Sequence, residues 1–529
     1  MMKNKSNIFP NSWIEKTIED VCTSPQYGYT TKAVENGDIK LLRTTDITSG
    51  KINWKTVPYC LKNPENPKKY FLKEGDIVIS RAGSVGISYL ITKPEKAVFA
   101  SYLIRFNPLI NKKLFKYFLE SPFYWTNISE KKLGIAVQNV NATKLKSIKL
   151  PVPPLSEQLR IVDKIEELFS ELDNGVESLK KAREQLKTYR QAVLKYAFEG
   201  KLTQEWREQQ IQAGNPLEPA EKLLERIKKE REAHYQKQVE EWKKACEQAK
   251  KDGSKKTAKP RKPKDLSPLT ENELAELPEL PDAWGWSYLD YCGYWTGGGT
   301  PSKQRKDYWL DGDVLWVSPK DMKNQYIKIT IDKITKAAVE ESSAKLIPSD
   351  SVLFVVRSGI LRRTLPVSIT TEISTVNQDL QAFTPFKVFP EYVYWYCVAN
   401  EFNIRNNCAK SGTTVESIET TQLKKYRISL CSPEEQQAIV SEIEIRLSVC
   451  DQLEQTIEDS LTKAEALRQS ILKKAFEGEL TREWRAAHPE LISGENSAES
   501  LLARIREEKE SLRKNSPQRL KRRKGKSNK

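Results

Sequence analysis

The chain is 529 residues long and carries 87 Lys and Arg against 71 Asp and Glu, a formal net charge of +16 at pH 7. At ~100 to 200 residues per domain this length exceeds a single core, and the positive balance points to a polyanionic partner. No uninterrupted apolar run approaches the ~20 residues that span a bilayer, and the opening MMKNKSNIFP lacks the apolar core of a signal peptide, so a soluble, unprocessed, cytoplasmic protein with no membrane partner is expected.

The apolar fraction of 38% is spread over Trp, Tyr, Phe, Val, Ile and Leu, which argues for folded domains joined by long polar helices. Eight cysteines (Cys22, Cys60, Cys246, Cys292, Cys397, Cys408, Cys431, Cys450) are scattered with no CxxC pair, and the two histidines, His234 and His488, lie far apart. That pattern speaks against a zinc site and against a His-activated Ser or Cys nucleophile.

Residues 1–150 read as an α+β domain: DIVIS (76–80) and VFASYLIRF (98–106) have the β-branched and aromatic content of strands, with Gly and Pro between. Residues 151–210 read as a spacer helix region. Ile161, Ile165, Leu168, Leu172, Leu179, Ala182, Leu186, Tyr189 and Val193 follow coiled-coil spacing, interrupted at Gly175, and predict a helix of about 38 residues, ~57 Å long. Residues 211–275 are helical and then basic, ending in KDGSKKTAKPRKPKDLSP (251–268), which reads as a solvated linker that adds phosphate attraction.

Residues 276–430 repeat the α+β pattern, with strands expected at VLWV (314–317) and VLFVV (352–356). Residues 431–487 form a second spacer helix region, opened by Ser432-Pro433-Glu434-Glu435 as a capping box. Ile439, Ile443, Leu453, Ile457, Leu467 and Ile471 lie along its seam, beside Arg446, Ser460 and Lys474. Residues 488–529 are helical and then basic, ending RLKRRKGKSNK.

The chain contains itself twice. RQAVLKYAFEGKLTQEWR (190–207) returns as RQSILKKAFEGELTREWR (468–485), Glu157-Gln158 as Glu435-Gln436, Asp173 as Asp451, Leu145 as Leu423, and AEKLLERIKKERE from Ala220 as AESLLARIREEKE from Ala498. FEGxLTxEWR has no heptad reason to recur. Each helix has one apolar stripe, and burying the two against each other predicts an antiparallel coiled coil and an internal pseudo-twofold. The fold class is therefore α+β: two globular α/β domains separated by two long paired helices, the domains diverging far more than the helices.

WTGGGTPSKQRKDYWLDGDVLWVSPKDM (295–322), LLRTTDITSGKI (41–52), FLKEGDIVISRAGSVG (71–86), the PPLSEQ before the first helix and FEGxLTxEW after each helix together resemble the specificity subunit of a type I DNA restriction-modification enzyme, over residues 9 to 510. The second half has SPEEQ for PPLSEQ, and VVRSGILRRTLPVSI lacks the GSVG of the first. The resemblance implies a non-catalytic chain in which each domain reads one half of a split, asymmetric double-stranded DNA sequence. It also implies two methyltransferase subunits docked on the helices and translocase-nuclease subunits beyond them, with S-adenosylmethionine, ATP and Mg on those partners and no cofactor in this chain. Independently, the sequence has no GxxxxGK[ST] loop and no Asn-Pro-Pro-aromatic motif. GGGTPSK (297–303) lacks phosphate-loop spacing.

Arg forks suit guanine, Asn and Gln suit adenine, and Lys, Ser and Thr hold phosphates. The candidates in the first domain are Arg43, Thr44, Thr45, Arg81, Ser84, Gln138, Asn139 and Asn141. Those in the second are Lys303, Ser318, Lys320, Arg357, Arg362, Arg363, Thr413 and Thr414, with Arg357 matched to Arg81. At each position a turn brace is the alternative, and Asp46 and Asp321 read as caps or turn residues. The rival from another class is a basic coiled-coil scaffold that binds nucleic acid without reading sequence.

Overall fold

A computed structural model describes residues 9–132, 140–252, 258–263, 268–410 and 415–514. It divides into two compact units, Met1–Lys181 with Ile457–Lys529, and Ala182–Thr456. Each unit holds one globular domain, the start of the long helix that follows it, the end of the other long helix, and the segment after that end.

In the first unit, Gln26–Tyr27, Leu103–Phe106, Ile77–Ser80 and Ser88–Leu90 form an antiparallel sheet in that order. A second sheet orders Ala33–Val34, Tyr59–Cys60, Lys40–Leu42 and Ala97–Phe99, the last two parallel. In the second unit, Gly293–Gly297, Leu380–Pro385, Val352–Val355, Val367–Thr370 and Tyr326–Ile327 make the larger sheet. Asp332–Ile334, Val314–Val317 and Ser374–Val376 make the smaller one, again with one parallel pair. The segment 98–106, read as one strand, is two. Ala100, Ser101 and Tyr102 turn the chain from one sheet into the other, because Ala97–Phe99 pairs with Lys40–Leu42 and Leu103–Phe106 pairs with Ile77–Ser80.

Each domain opens and closes on a two-stranded ribbon. Ile14–Thr17 pairs antiparallel with Lys149–Val152, and Gly285–Tyr288 with Arg427–Leu430. The chain leaves each domain beside the point at which it came in.

The long helices are Leu155–Phe198 and Pro433–Phe476, each 44 residues. They exceed the expected length because FEG, not the heptad pattern, ends them: Gly200 and Gly478 sit at φ +73° and +76° just past the last turn, a conformation that favours glycine. Within the first unit Ile161, Ile165 and Phe169 share a core with Ile471, Leu472 and Ala475, and the Arg468 guanidinium reaches Asp173 while lying 4.2 Å from the Phe169 ring centroid. Within the second, Val193, Ala197 and Phe198 share a core with Ile439, Ile443 and Leu447. There Arg190, the repeat mate of Arg468, bonds Asp451 at 2.6 Å and Glu454 at 3.0 Å. In each unit rising numbers on one helix meet falling numbers on the other, so the pairing is antiparallel.

The seam keeps Ile439, Ile443, Ile457 and Ile471 buried where they were expected and differs between them. Leu453, Leu467 and Tyr189 are exposed and Lys474 lies outside, whereas Leu447, Cys450 and Ala475 are buried. The Arg446 guanidinium bonds Glu442 at 3.0 Å on its own helix and Tyr189 Oη at 3.5 Å on the other, and the adjacent Leu447 is the buried residue there.

The recurrence of FEGxLTxEWR has a physical basis. Glu157, fully buried at the start of the first helix, accepts from Trp13 Nε1 at 2.8 Å, from Thr481 Oγ1 at 2.7 Å and from the Arg485 guanidinium. Glu435 accepts from Trp284 Nε1 at 2.8 Å, Thr203 Oγ1 at 2.8 Å and Arg207 at 2.5 Å. Each clasp joins the carboxylate of one repeat to the Thr and Arg of the other. A side chain on Gly200 would collide with Pro281, and one on Gly478 with Pro10, so the motif also seats the domain's opening proline. The expected capping box is therefore half present: Ser432 Oγ accepts from Glu435 N at 3.2 Å, but the Glu435 carboxylate is committed to the clasp. Gln158 and Gln436 bridge helix start to domain, each donating to a carbonyl five residues back and accepting from Asn111 N at 2.9 Å and Phe389 N at 3.1 Å respectively.

Candidate nucleic-acid interface

Five backbone segments of the first unit come together at one edge. Strands 26–27, 40–42, 77–80 and 97–99 all finish there, and 103–106 begins there. Ala100 N donates to Leu42 O at 2.8 Å, Tyr29 N to Phe99 O at 2.7 Å and Arg81 N to Tyr102 O at 2.9 Å. Gly28 lets the segments close, since a Cβ there would stand 2.1 Å from Ala100 O. The edge brings together Tyr27, Arg43, Arg81 and Tyr102, the two tyrosines exposed to 41% and 62%.

The expected residues have different fates. Arg43 donates its backbone N–H to Asp46 Oδ2 at 2.7 Å and its guanidinium to the same carboxylate at 2.8 and 3.1 Å. That pairing raises its pKa. The Thr44 hydroxyl is buried without a hydrogen-bond partner among the described residues, and Thr45 is exposed. Arg81 lies over the Tyr27 ring, 5.1 Å from its centroid, and its carbonyl accepts from Val140 N at 3.0 Å. Ser84 is exposed on the turn that follows. Asn141 caps the helix Ala142–Lys146, its side chain accepting from Lys144 N at 2.9 Å. Gln138 and Asn139 lie outside the described residues.

The second unit builds the same edge on the same hydrogen bonds. Gly299 N donates to Val376 O at 2.9 Å as Tyr29 does to Phe99, Ile418 N to Val356 O at 2.8 Å as Val140 does to Arg81, and Ser318 N to Asp321 Oδ2 at 2.8 Å as Arg43 does to Asp46. Gly298 repeats Gly28, a Cβ there standing 1.8 Å from Asn377 O. Asp46 and Asp321 are thus turn residues in both units.

This correspondence corrects the pairing expected from sequence: Val356, not Arg357, occupies the place of Arg81. Gly297 likewise takes the place of Tyr27, Ser318 that of Arg43, and Asn377, Gln378 and Asp379 those of Ala100, Ser101 and Tyr102. Ser318 is nearly buried and its hydroxyl is bonded to Asp321 at 2.8 Å. Lys320 and Arg357 are exposed, as is Lys303 on a cleft shared with Lys306, Trp309, Leu310 and Asp332. Arg362 pairs with Glu416 at 3.0 Å, and Arg363 is exposed beside it. Thr413 and Thr414 lie outside the described residues. Tyr27, Tyr102 and Gln378, the last exposed and bonded to Thr300, were not singled out from sequence. Their signal is an aromatic or amide next to a tight strand end, in Tyr27-Gly28 and in the polar break VNQDL.

The family model described as "Type I restriction modification DNA specificity domain" matches residues 10–187 and 290–463, one stretch in each repeat. The specificity subunit of the Escherichia coli type I restriction enzyme EcoR124I/EcoR124II is 38% identical over 185 residues, covering 35% of this chain and 45% of that protein. That of EcoKI from Escherichia coli K12 is 24% identical over 519 residues, 94% of this chain and 96% of that protein. Among solved structures, a chain described under complex assembly and conformational transition of the type I R-M system superposes with a TM-score of 0.58 at 16% identity, over 89% of this chain and 99% of its own. The HsdS subunit from Thermoanaerobacter tengcongensis gives 0.51 at 16% identity, over 90% and 100%. Both share the fold. The duplicated clasps, the paired helices and a family match falling once on each repeat converge on one conclusion: the chain belongs to the family of type I restriction-modification specificity subunits.

Proposed function

We propose that this chain is the DNA-recognition subunit of a type I restriction-modification complex, each domain reading one half of a split, asymmetric double-stranded target. The observation that carries this reading is the pair of matched edges: one backbone frame with different side chains at the same places, which is what two readers of two different half-sites need. Arg43, Thr44, Thr45, Arg81, Ser84, Gln138, Asn139 and Asn141 in the first domain are the proposed DNA-facing set. The proposed set in the second domain is Lys303, Ser318, Lys320, Arg357, Arg362, Arg363, Thr413 and Thr414. The long helices carry two methyltransferase subunits and fix the separation of the half-sites, and translocase-nuclease subunits join them. The chain itself does no chemistry; S-adenosylmethionine, ATP and Mg are held by the partners, in the cytoplasm.

The test is to recover the tagged chain from its native cells and to map methylated adenines in that genome with and without the gene. Loss of methylation at one split motif, with a co-purifying methyltransferase, is the expected result. An unchanged map in cells that express the protein, with no methyltransferase recovered, favours the basic scaffold that binds nucleic acid regardless of sequence.

A further inference from the structure

Asp46 and Asp321 hold matching turns, but the second oxygen of each carboxylate has a different duty. In the first domain Asp46 Oδ1 accepts from the Arg43 guanidinium at 2.8 Å. Ser318, in the place of Arg43, is too short to reach so far, and its N–H and hydroxyl both donate to Asp321 Oδ2, at 2.8 Å each. Asp321 Oδ1 accepts from Ile331 N at 2.8 Å instead, and Thr330 Oγ1 donates to Asp332 O at 2.6 Å. The loop 328–332 is thus tied to the matched edge of the second domain by its backbone.

Its apolar side chains stay in water. Ile331 is exposed to 66% and Ile329 to 81%. Lys40 pairs with Tyr59 as Leu315 pairs with Lys333, which puts Val57 of the first domain in the place of Ile331, and Val57 is buried. The domain core therefore does not account for Ile331. A fixed backbone that displays an isoleucine leaves apolar area for a partner to cover. The same stretch says which partner. Lys320, Lys323, Lys328 and Lys333 are exposed and make no ion pair among the described residues, while Asp332 is the one exposed carboxylate between 320 and 333, that of Asp321 being engaged by Ser318 and Ile331. An apolar group set among phosphates fits both features, and in the major groove of a duplex that group is the C5 methyl of thymine.

We infer that Ile331 reads a thymine in the half-site of the second domain through its C5 methyl. The inference rests on the DNA-recognition reading above and deepens it. It is tested on the full-length chain assembled with its native partner subunits, wild type and I331S, the target being taken from the map of methylated adenines. Affinity is measured for target duplexes in which each thymine in turn is replaced by deoxyuridine, which lacks only that methyl. In the wild type the exchange weakens binding roughly four-fold, the worth of one buried methyl, at a thymine of a single half-site. I331S binds the thymine and deoxyuridine duplexes alike at that position. Ile331 lies outside the core, so I331S keeps the fold.

A wild type indifferent to every exchange overturns the inference, and so does a penalty that persists unchanged in I331S. Loss of a partner subunit from I331S with the methyl penalty intact also overturns it, and assigns the loop to a protein surface. If the wild-type chain directs methylation at no split motif, the recognition reading itself fails, an outcome distinct from a motif whose thymine methyls make no difference.

Discussion

Glu157 keeps its charge out of water only because Trp13, Thr481 and Arg485 replace the lost hydration with three donors. Glu157→Ala strands the Arg485 guanidinium in a nearly dry site, so destabilisation of ~3–5 kcal/mol is expected, read as an earlier denaturant transition of the full chain. Glu157→Gln keeps one acceptor oxygen, for Thr481 and Arg485 or for Trp13 but not for both, and is expected to cost less than Glu157→Ala. The members of this clasp were legible in the sequence as repeated letters, but their purpose was not: Glu157 and Arg485 are 328 residues apart, and no spacing rule joins the start of one repeat to the end of the other. The same holds at the matched edge of the first domain, where Arg43 and Arg81 looked alike as loop arginines. They are distinguished by Asp46 and by Tyr27, and the second of these neighbours is brought in only by the strand pairing.

At the scale of elements, the long helices were legible because a 3–4 repeat sustained over many turns is a local signal, whereas strands of two to six residues depend on partners far along the chain. The same contrast explains why 98–106 read as one strand. On the proposed reading the helices act as a ruler. Inserting one heptad after Ala182 and after its repeat counterpart Ser460 is expected to lengthen the unread spacer while leaving both half-sites as they were, and selection of bound sequences from a random duplex pool measures it. An unaltered spacer rejects the ruler.

A second element gives a pH prediction. The short helix Glu271–Ala275 is tied down by the Glu273 carboxylate, which takes hydrogen bonds from the Thr270 backbone and hydroxyl, Arg427 and Tyr288, and is held at a pKa of about 2. Because the folded value is depressed, the tether contributes fully above the ordinary glutamate range near ~4.3 and is lost as pH falls towards about 2. Trp286, whose indole donates to Pro278 O at 3.3 Å, reports it by fluorescence in that window, and Glu273→Gln is expected to remove the pH dependence.

For the molecule as a whole, the excess of 16 positive charges is concentrated partly in the 251–268 segment and the final eleven residues. Deleting RLKRRKGKSNK is expected to flatten the fall of DNA affinity with salt, by ~0.9 in the log–log slope for each phosphate no longer neutralised, and to leave the methylated motif unchanged. A shift in the motif instead would assign those residues to base reading. Organisation into two α+β domains and two helices was legible because the chain repeats. That each compact unit is assembled from both repeats was not, since it is created by the crossed clasps. The paired ribbons that bound the domains, 14–17 with 149–152 and 285–288 with 427–430, bear on inheritance. A domain whose two ends lie side by side on a frame that recurs elsewhere in the same gene is a cassette: recombination within the frame can replace everything between the ribbon strands in one event, and on the proposed reading the lineage then acquires a new half-target without having to redesign the protein that carries it.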